Sequence, residues 1–169
     1  MNRWIGIIFV SNLAAVAGPA QQATLPPQEI RTIAEKAYTF AYPLVLMEFT
    51  RRNTVEHATL GGNAYPNRFT HAPEFPNATF RQVIRPNADT LYSMAWLDLT
   101  QEPLLMEVPD TKGRFYLMQF MDAWTETFAS PGKRTTGTGQ GWFAIVGPDW
   151  KGKLPERAQR IDSPTTWSG

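Results

Sequence analysis

The nine residues Arg85–Ser93, "RPNADTLYS", bring a guanidinium, an amide, a carboxylate, two hydroxyls and a phenol around a single Pro-Asn turn. Such groups can hold an acidic ligand, move a proton, or brace the chain. Pro86 fixes its own φ, and Asn87 or Asp89 can accept from backbone donors at the turn. That accounts for about half of the stretch. Arg85, Asp89 and Tyr92 are left over. An Arg85–Asp89 ion pair would brace the entry to a strand, and the same groups would edge a ligand pocket. The stretch is expected to be a buttressed turn that doubles as a pocket edge.

A second group lies in "MDAWTETFAS" (Met121–Ser130), where Asp122, Trp124 and Glu126 follow an apolar run. An aromatic with polar groups at the end of a sheet suits a small-ligand pocket, or equally a plug of core aromatics. Asp89, Asp98, Asp122 and Glu126 could supply a carboxylate pair for acid–base chemistry, although carboxylates at sheet ends more often cap turns. "SPGKRTTGTGQG" resembles a phosphate loop only superficially. A P-loop needs a glycine five positions before Gly-Lys, Ser or Thr after the lysine, and a following helix. Here Thr127 and Arg134 stand at those positions and a strand follows. A hairpin loop is the better reading, with Lys133 and Arg134 still able to touch an acidic ligand.

His57 and His71 are the two histidines, and they show no metal-ligand spacing. No G-x-S-x-G elbow is present, and Ser93 in a strand is a poor nucleophile candidate. The candidate ligand-binding residues are Arg85, Asn87, Asp89, Tyr92, Asp122, Trp124 and Arg134. Neither a metal nor a cofactor is expected, and no catalytic residue is assigned.

The elements that position these groups follow from periodicity. Ile30, Ile33, Ala34, Ala37, Tyr38 and Ala41 recur at helical spacing after Pro27, a residue suited to a first turn. Pro43 should kink or break that helix near Tyr42. "LVLMEFTRRNTVEHA" then resumes as a second helix ending before Gly61-Gly62. Residues 61–82 read as an ordered loop rich in Pro, Asn and aromatics. After Pro86 the pattern becomes strand-like, with strands expected at Thr90–Leu99, Leu104–Val108, Arg114–Asp122 and Gly141–Gly147. The third is apolar on both sides, as a strand covered on both faces would be. Short turns between strands predict an antiparallel sheet. The expected fold is α+β: N-terminal helices followed by an antiparallel β-sheet or β-sandwich.

The chain has 169 residues and a net charge of +1, with six Trp, ten Phe and five Tyr for a core. Charged residues make up 18%, below the roughly 25% of an average globular chain. No basic stripe points to nucleic acid. "MNR" followed by "WIGIIFVSNLAAVA" and the small residues before Gln21 reads as a signal peptide over residues 1–20. Export, to the periplasm or the medium, is therefore expected, with no membrane association after cleavage. Residues 21–29 read as a flexible mature N-terminus and 30–169 as one domain. The cysteine count is zero, so the chain cannot use disulfides or thiolate metal sites.

The segments "FTHAPEFPNATFRQVIRPNADTLYSMAWLDLTQEPLLMEVPD", "DAWTETFASPGKRTTGTGQGWFAIVGPDWKGKLP" and "IDSPT", in that order, resemble the DUF1254 family. The resemblance covers roughly residues 30–165. It implies a helix-plus-β-sandwich build, export signals in many members, and commonly a second domain, DUF1214, further along. It supplies no catalytic residues. Where relatives continue beyond the segment like "IDSPT", this sequence stops at "TWSG", which reads as a truncated member. The expected function is an exported domain binding a small molecule at one end of a β-sandwich. The alternatives are a hydrolase using Asp89, Asp122 or Glu126, and a truncated remnant without its own function. An open sheet edge would favour a homo-oligomer, or a missing DUF1214-like domain, as partner.

Overall fold

The computed structural model describes residues 25–57, 65–81 and 83–169. The expected signal peptide (1–20), residues 21–24 and the Gly61-Gly62 turn lie outside the described residues. Contacts divide the chain into two compact units, residues 1–37 and 38–169. The described part of the first holds the opening turns of helix α1 (Pro27–His57), which starts on Pro27 with Glu29 in its first turn. Arg31 pairs with Glu35 one turn on at 3.0 Å, an exposed contact that adds a few tenths of a kcal/mol at most, roughly. Ile30 and Ile33, two of the residues that recur at helical spacing, are about half exposed.

The second unit holds the remainder of α1 and all the strands. Pro43 lies inside α1 and does not end it, so one helix stands where two were expected. A proline costs one backbone bond and a ring clash, about 3 kcal/mol. Beyond it the helix is braced locally. Thr50 Oγ1 donates to the Leu46 carbonyl, Thr54 Oγ1 donates to the Thr50 carbonyl, and Glu48 accepts from both Arg51 and Arg52.

The strands are β1 (Thr70–Ala72), β2 (Tyr92–Met94), β3 (Leu97–Asp98), β4 (Leu104–Val108), β5 (Phe120–Met121), β6 (Thr127–Ala129), β7 (Gly141–Val146), β8 (Gln159–Asp162) and β9 (Trp167–Ser168). They form four small sheets, β1-β2, β3-β9, β4-β7-β8 and β5-β6, and the fold is α+β. β7 is the central strand. Phe143 to Val146 are almost wholly buried, as a short apolar run with neighbours on both edges should be. It pairs antiparallel with β4, Met106 facing Phe143, and parallel with β8, Ile145 facing Ile161. The parallel pair corrects the all-antiparallel expectation. β8, "QRID", carries no apolar alternation to announce it, and its crossover of about a dozen residues is the length a parallel connection requires. Leu97, Leu99, Met106, Val108, Phe120, Phe143 and Ile145 make the core.

Two expected strands are shorter than their apolar patterns. The run Thr90–Leu99 divides at Ala95-Trp96, so that β2 pairs with β1 while β3 pairs with β9. Asn67 enforces the division. Its N–H donates to the Trp96 carbonyl at 2.7 Å, and its side chain accepts from the Asp98 N–H at 2.8 Å and donates to the Asp98 carbonyl at 3.1 Å. A side-chain amide thus replaces a neighbouring strand. Of Arg114–Asp122, only Phe120-Met121 lie in a strand, with an isolated bridge from Leu117 to Gly132. Tyr116, Met118 and Phe120 pack on the core while Phe115 and Leu117 are exposed, so one face is covered, not two.

Candidate functional site

Asn87 organises the Arg85–Ser93 turn. Its Oδ1 accepts from the Asp89 N–H at 2.7 Å and, more distantly, from the Thr90 N–H. Its Nδ2 donates to Thr90 Oγ1 at 2.9 Å and to the Tyr92 hydroxyl at 2.8 Å. The expected Arg85–Asp89 ion pair does not form among the described residues; the amide does the bracing that the pair was expected to do. Arg85 itself sits at φ 60°, a left-handed conformation that costs a non-glycine residue about 1–2 kcal/mol. Strain of this kind persists only where the surroundings impose it, and it gathers at functional positions.

Arg85, Pro86, Asn87 and Thr90 of the turn line a cavity of about 670 Å³. Alternate residues of the β1-β2 ribbon, Thr70, Ala72, Tyr92 and Met94, form one wall. Residues of 74–80 and 83–87 also line the cavity, Phe75, Phe80, Val83 and Arg85 among them. Asn77 shapes the first of these stretches by accepting from both the N–H and the hydroxyl of Thr79. The lining is mainly apolar, and it carries one cation, Arg85, and one anion, Glu74. The volume falls within the range of small-molecule sites. Because side chains alternate across a strand, His71 and Ser93 face away from this cavity. His71 Nδ1 and Ser93 Oγ lie 2.8 Å apart there, with Phe69 stacked on the imidazole. Sequence spacing could not reveal that cross-strand pair, since only register places residue 71 opposite 93.

The remaining candidates fall elsewhere. Asp89 is exposed and lines neither this cavity nor the next. Asp122 is buried, and its Oδ1 accepts from the N–H groups of Trp124 and Glu126 at 2.8 and 3.0 Å, so its carboxylate caps a turn. Trp124 lines a second cavity of about 490 Å³ with Leu44, Met47, Glu48, Arg51, Trp96, Trp167 and Ser168. Phe40 packs on the Trp124 ring with centroids 5.4 Å apart. Arg134 sits in the 132–140 loop, its guanidinium 6.0 Å from the Phe115 ring, and lines neither cavity. That loop is held by its own chain: the Gly132 carbonyl accepts from the N–H groups of Thr135, Thr136 and Gly137, and Lys133 Nζ donates to the Gly113 carbonyl at 2.8 Å. The one site expected from the sequence is therefore distributed over three places.

Electrostatics single out Glu48 on the second cavity. Hydrogen bonding from Arg51, opposed by some burial and reinforced by Arg52, lowers its pKa from 4.5 to about 2. The Arg51 guanidinium also lies 4.1 Å over the centre of the Trp167 ring. Arg51, Trp96 and Ser168 escape sequence reasoning because helix, mid-chain and C-terminal segments meet there only after folding. Among the described residues no group of three or more His, Asp or Glu side chains could hold a metal ion. No helix among them is long and apolar enough to cross a membrane.

A solved structure similar to this chain is that of the VPA0106 protein from Vibrio parahaemolyticus, at 29% identity and a TM-score of 0.63. The match covers 81% of this chain and 31% of that one, so the chain spans about a third of the length of this neighbour. A search of curated proteins found no match. Residues 66–168 match the family described as "Protein of unknown function (DUF1254)". That stretch includes both cavities' β-strand walls, and the chain belongs to the DUF1254 family.

Proposed function

We propose that the chain is an exported binding domain that takes a small molecule with an apolar body and a carboxylate end into the cavity lined by the β1-β2 ribbon and residues of 74–80 and 83–87. The observation that carries this reading is the combination of an apolar lining with Arg85, held in a strained backbone conformation and making no ion pair among the described residues. A guanidinium in an apolar cleft pairs well with a carboxylate. Asn87 and Tyr92 are already bonded to each other and fix that corner, while Glu74 disfavours a second anionic group. Acid–base hydrolysis is the weaker reading, because the one buried carboxylate among its candidates, Asp122, is committed to backbone donors.

Export rests on the character of residues 1–20. A partner, either a further domain or a second copy, would cover the exposed apolar residues of α1, of which Phe40 and Phe49 are 73% and 67% exposed. Calorimetric titration of the whole chain with 4-phenylbutyrate tests the site. Binding should be saturable and should vanish in Ala72→Trp, which fills the cavity from β1. Unchanged binding in that variant would place the ligand elsewhere.

A further inference from the structure

Beyond Ala37, two rows of residues run along opposite sides of α1. Leu44, Met47, Arg51 and Thr54 follow one another at steps of three and four. The first three line the second cavity, Arg51 lies over the Trp167 ring, and Thr54 is buried, so this row seats the helix on the second unit. Tyr38, Tyr42, Val45 and Phe49 follow the same rule, and 3.6 residues per turn put them roughly half a turn away. They are between 48% and 67% exposed, and the Tyr38 and Tyr42 rings meet edge to face at 5.8 Å. A helix seated by one face ordinarily turns a polar face to water. This one turns out an uncharged, largely aromatic row, the pattern of a helix covered on both sides.

The row fits a second copy of itself. Laid antiparallel about a two-fold axis between Tyr42 and Val45, two copies set Tyr38 against Phe49 of the other copy and Tyr42 against its Val45. Each contact joins a ring to an aromatic or β-branched side chain, and the row holds no charge to be buried unpaired. Direction follows from Arg52, the next residue at that spacing, whose side chain is 65% exposed. A parallel pair would set Arg52 against its own copy, whereas the antiparallel pair keeps the two cations apart. Size fits as well. With Leu46 beside them, these side chains expose on the order of 500 Å² per copy, so an isologous pair covers about 1,000 Å², near the least that a specific interface buries.

We infer that the chain forms an isologous dimer through the Tyr38–Phe49 side of α1, with the two helices antiparallel and crossing between Tyr42 and Val45. An interface of this size makes the dimer weak and concentration-dependent. The cavity that holds Arg85 takes no residue from α1 and is not part of it.

Sedimentation velocity of the whole chain reads the association. At about 100 µM the mass should rise toward that of two copies, and it should fall toward one on dilution, as a weak interface requires. Val45→Glu, at a half-exposed position beside the axis, should leave the circular dichroism spectrum unchanged and raise the dissociation constant about tenfold or more. The sequence holds no cysteine, so single introduced thiols report the register. Chains carrying Tyr38→Cys and chains carrying Phe49→Cys should be joined to each other by a short bis-maleimide. Either variant alone should be joined slowly, because its two thiols stand about 16 Å apart along the helix axis. A monomer at every concentration would leave the row to a further domain and overturns the inference. So does a Val45→Glu chain that associates as tightly as the parent, or cross-linking within single variants as fast as between them.

Discussion

The side-chain amide of Asn87 donates to the phenol of Tyr92 at 2.8 Å, tying the apex of the turn to the first residue of β2 across the corner of the larger cavity. The same side chain caps the turn through its carbonyl oxygen. Asn87→Ala removes both functions at once. Because the region is exposed, water can replace part of what is lost, and the expected destabilisation is about 1–2 kcal/mol. Urea denaturation of the two proteins measures it. Asn87→Asp keeps the acceptor and loses the donor, so it should fall between them.

Asp122 is expected to matter for stability and not for binding. The buried Asp122 carboxylate accepts from two backbone donors in a turn whose residues 124–127 are exposed, with Thr125 at φ 69° between them. Asp122→Ala leaves those donors unpaired and should cost about 2–3 kcal/mol, with affinity for 4-phenylbutyrate unchanged. Equilibrium denaturation and calorimetry on the same variant separate the two effects. A loss of affinity at full stability would return Asp122 to the list of ligand-binding groups.

Glu48 gives the protein a pH dependence of known sign. Its folded pKa of about 2 lies below its ordinary value of 4.5, so the folded state favours the ionised form. The stabilisation is fully present above about pH 4.5, and it is lost as pH falls from there toward 2. The carboxylate is partly exposed, and solvent screening keeps the effect small. The melting temperature of the parent chain should fall more steeply than that of Glu48→Gln between pH 4.5 and 2.5. Parallel curves would show that the pair with Arg51 contributes nothing to folding.

Gly147 ends β7 against the chain at Leu99. A Cβ there would stand 2.7 Å from the Leu99 carbonyl oxygen, a backbone atom that cannot swing aside. Gly147→Ala should therefore separate β7 from the Leu99 segment at a cost of about 1–3 kcal/mol. Gly139, whose Cβ would meet nothing, is the control: Gly139→Ala should be near neutral. Thermal melts of the pair settle the comparison.

Much of the fold was legible where the pattern was local. The α+β class, the helix start at Pro27, and the strands at 104–108 and 141–146 follow from periodicity and turn residues. The failures have physical causes. Pro43 is tolerated because neighbouring turns of α1 brace themselves, and β2 and β3 part because Asn67 intrudes from outside the run. β8 and β9 exist because β7 and β3 offer them partners, a fact no window of their own residues contains. Arg85, Asn87 and Tyr92, grouped as candidates by their closeness in sequence, line one cavity together. The second cavity was not legible, because Arg51, Trp96 and Trp167 come together there only after folding. Grouping Asp122, Trp124 and Arg134 with the turn assumed one sheet end where the chain builds several small sheets.

The most direct test of the ligand site is the substitution Arg85→Gly, read by melting temperature and by calorimetric titration with 4-phenylbutyrate and with uncharged 4-phenylbutanol. Glycine adopts the left-handed backbone of residue 85 without the steric cost, which roughly offsets its greater freedom when unfolded. The melting temperature should hold or rise, carboxylate binding should weaken by about tenfold or more, and alcohol binding should change little. A lower melting temperature with carboxylate affinity intact would mean that Arg85 only braces the turn, and would contradict the account.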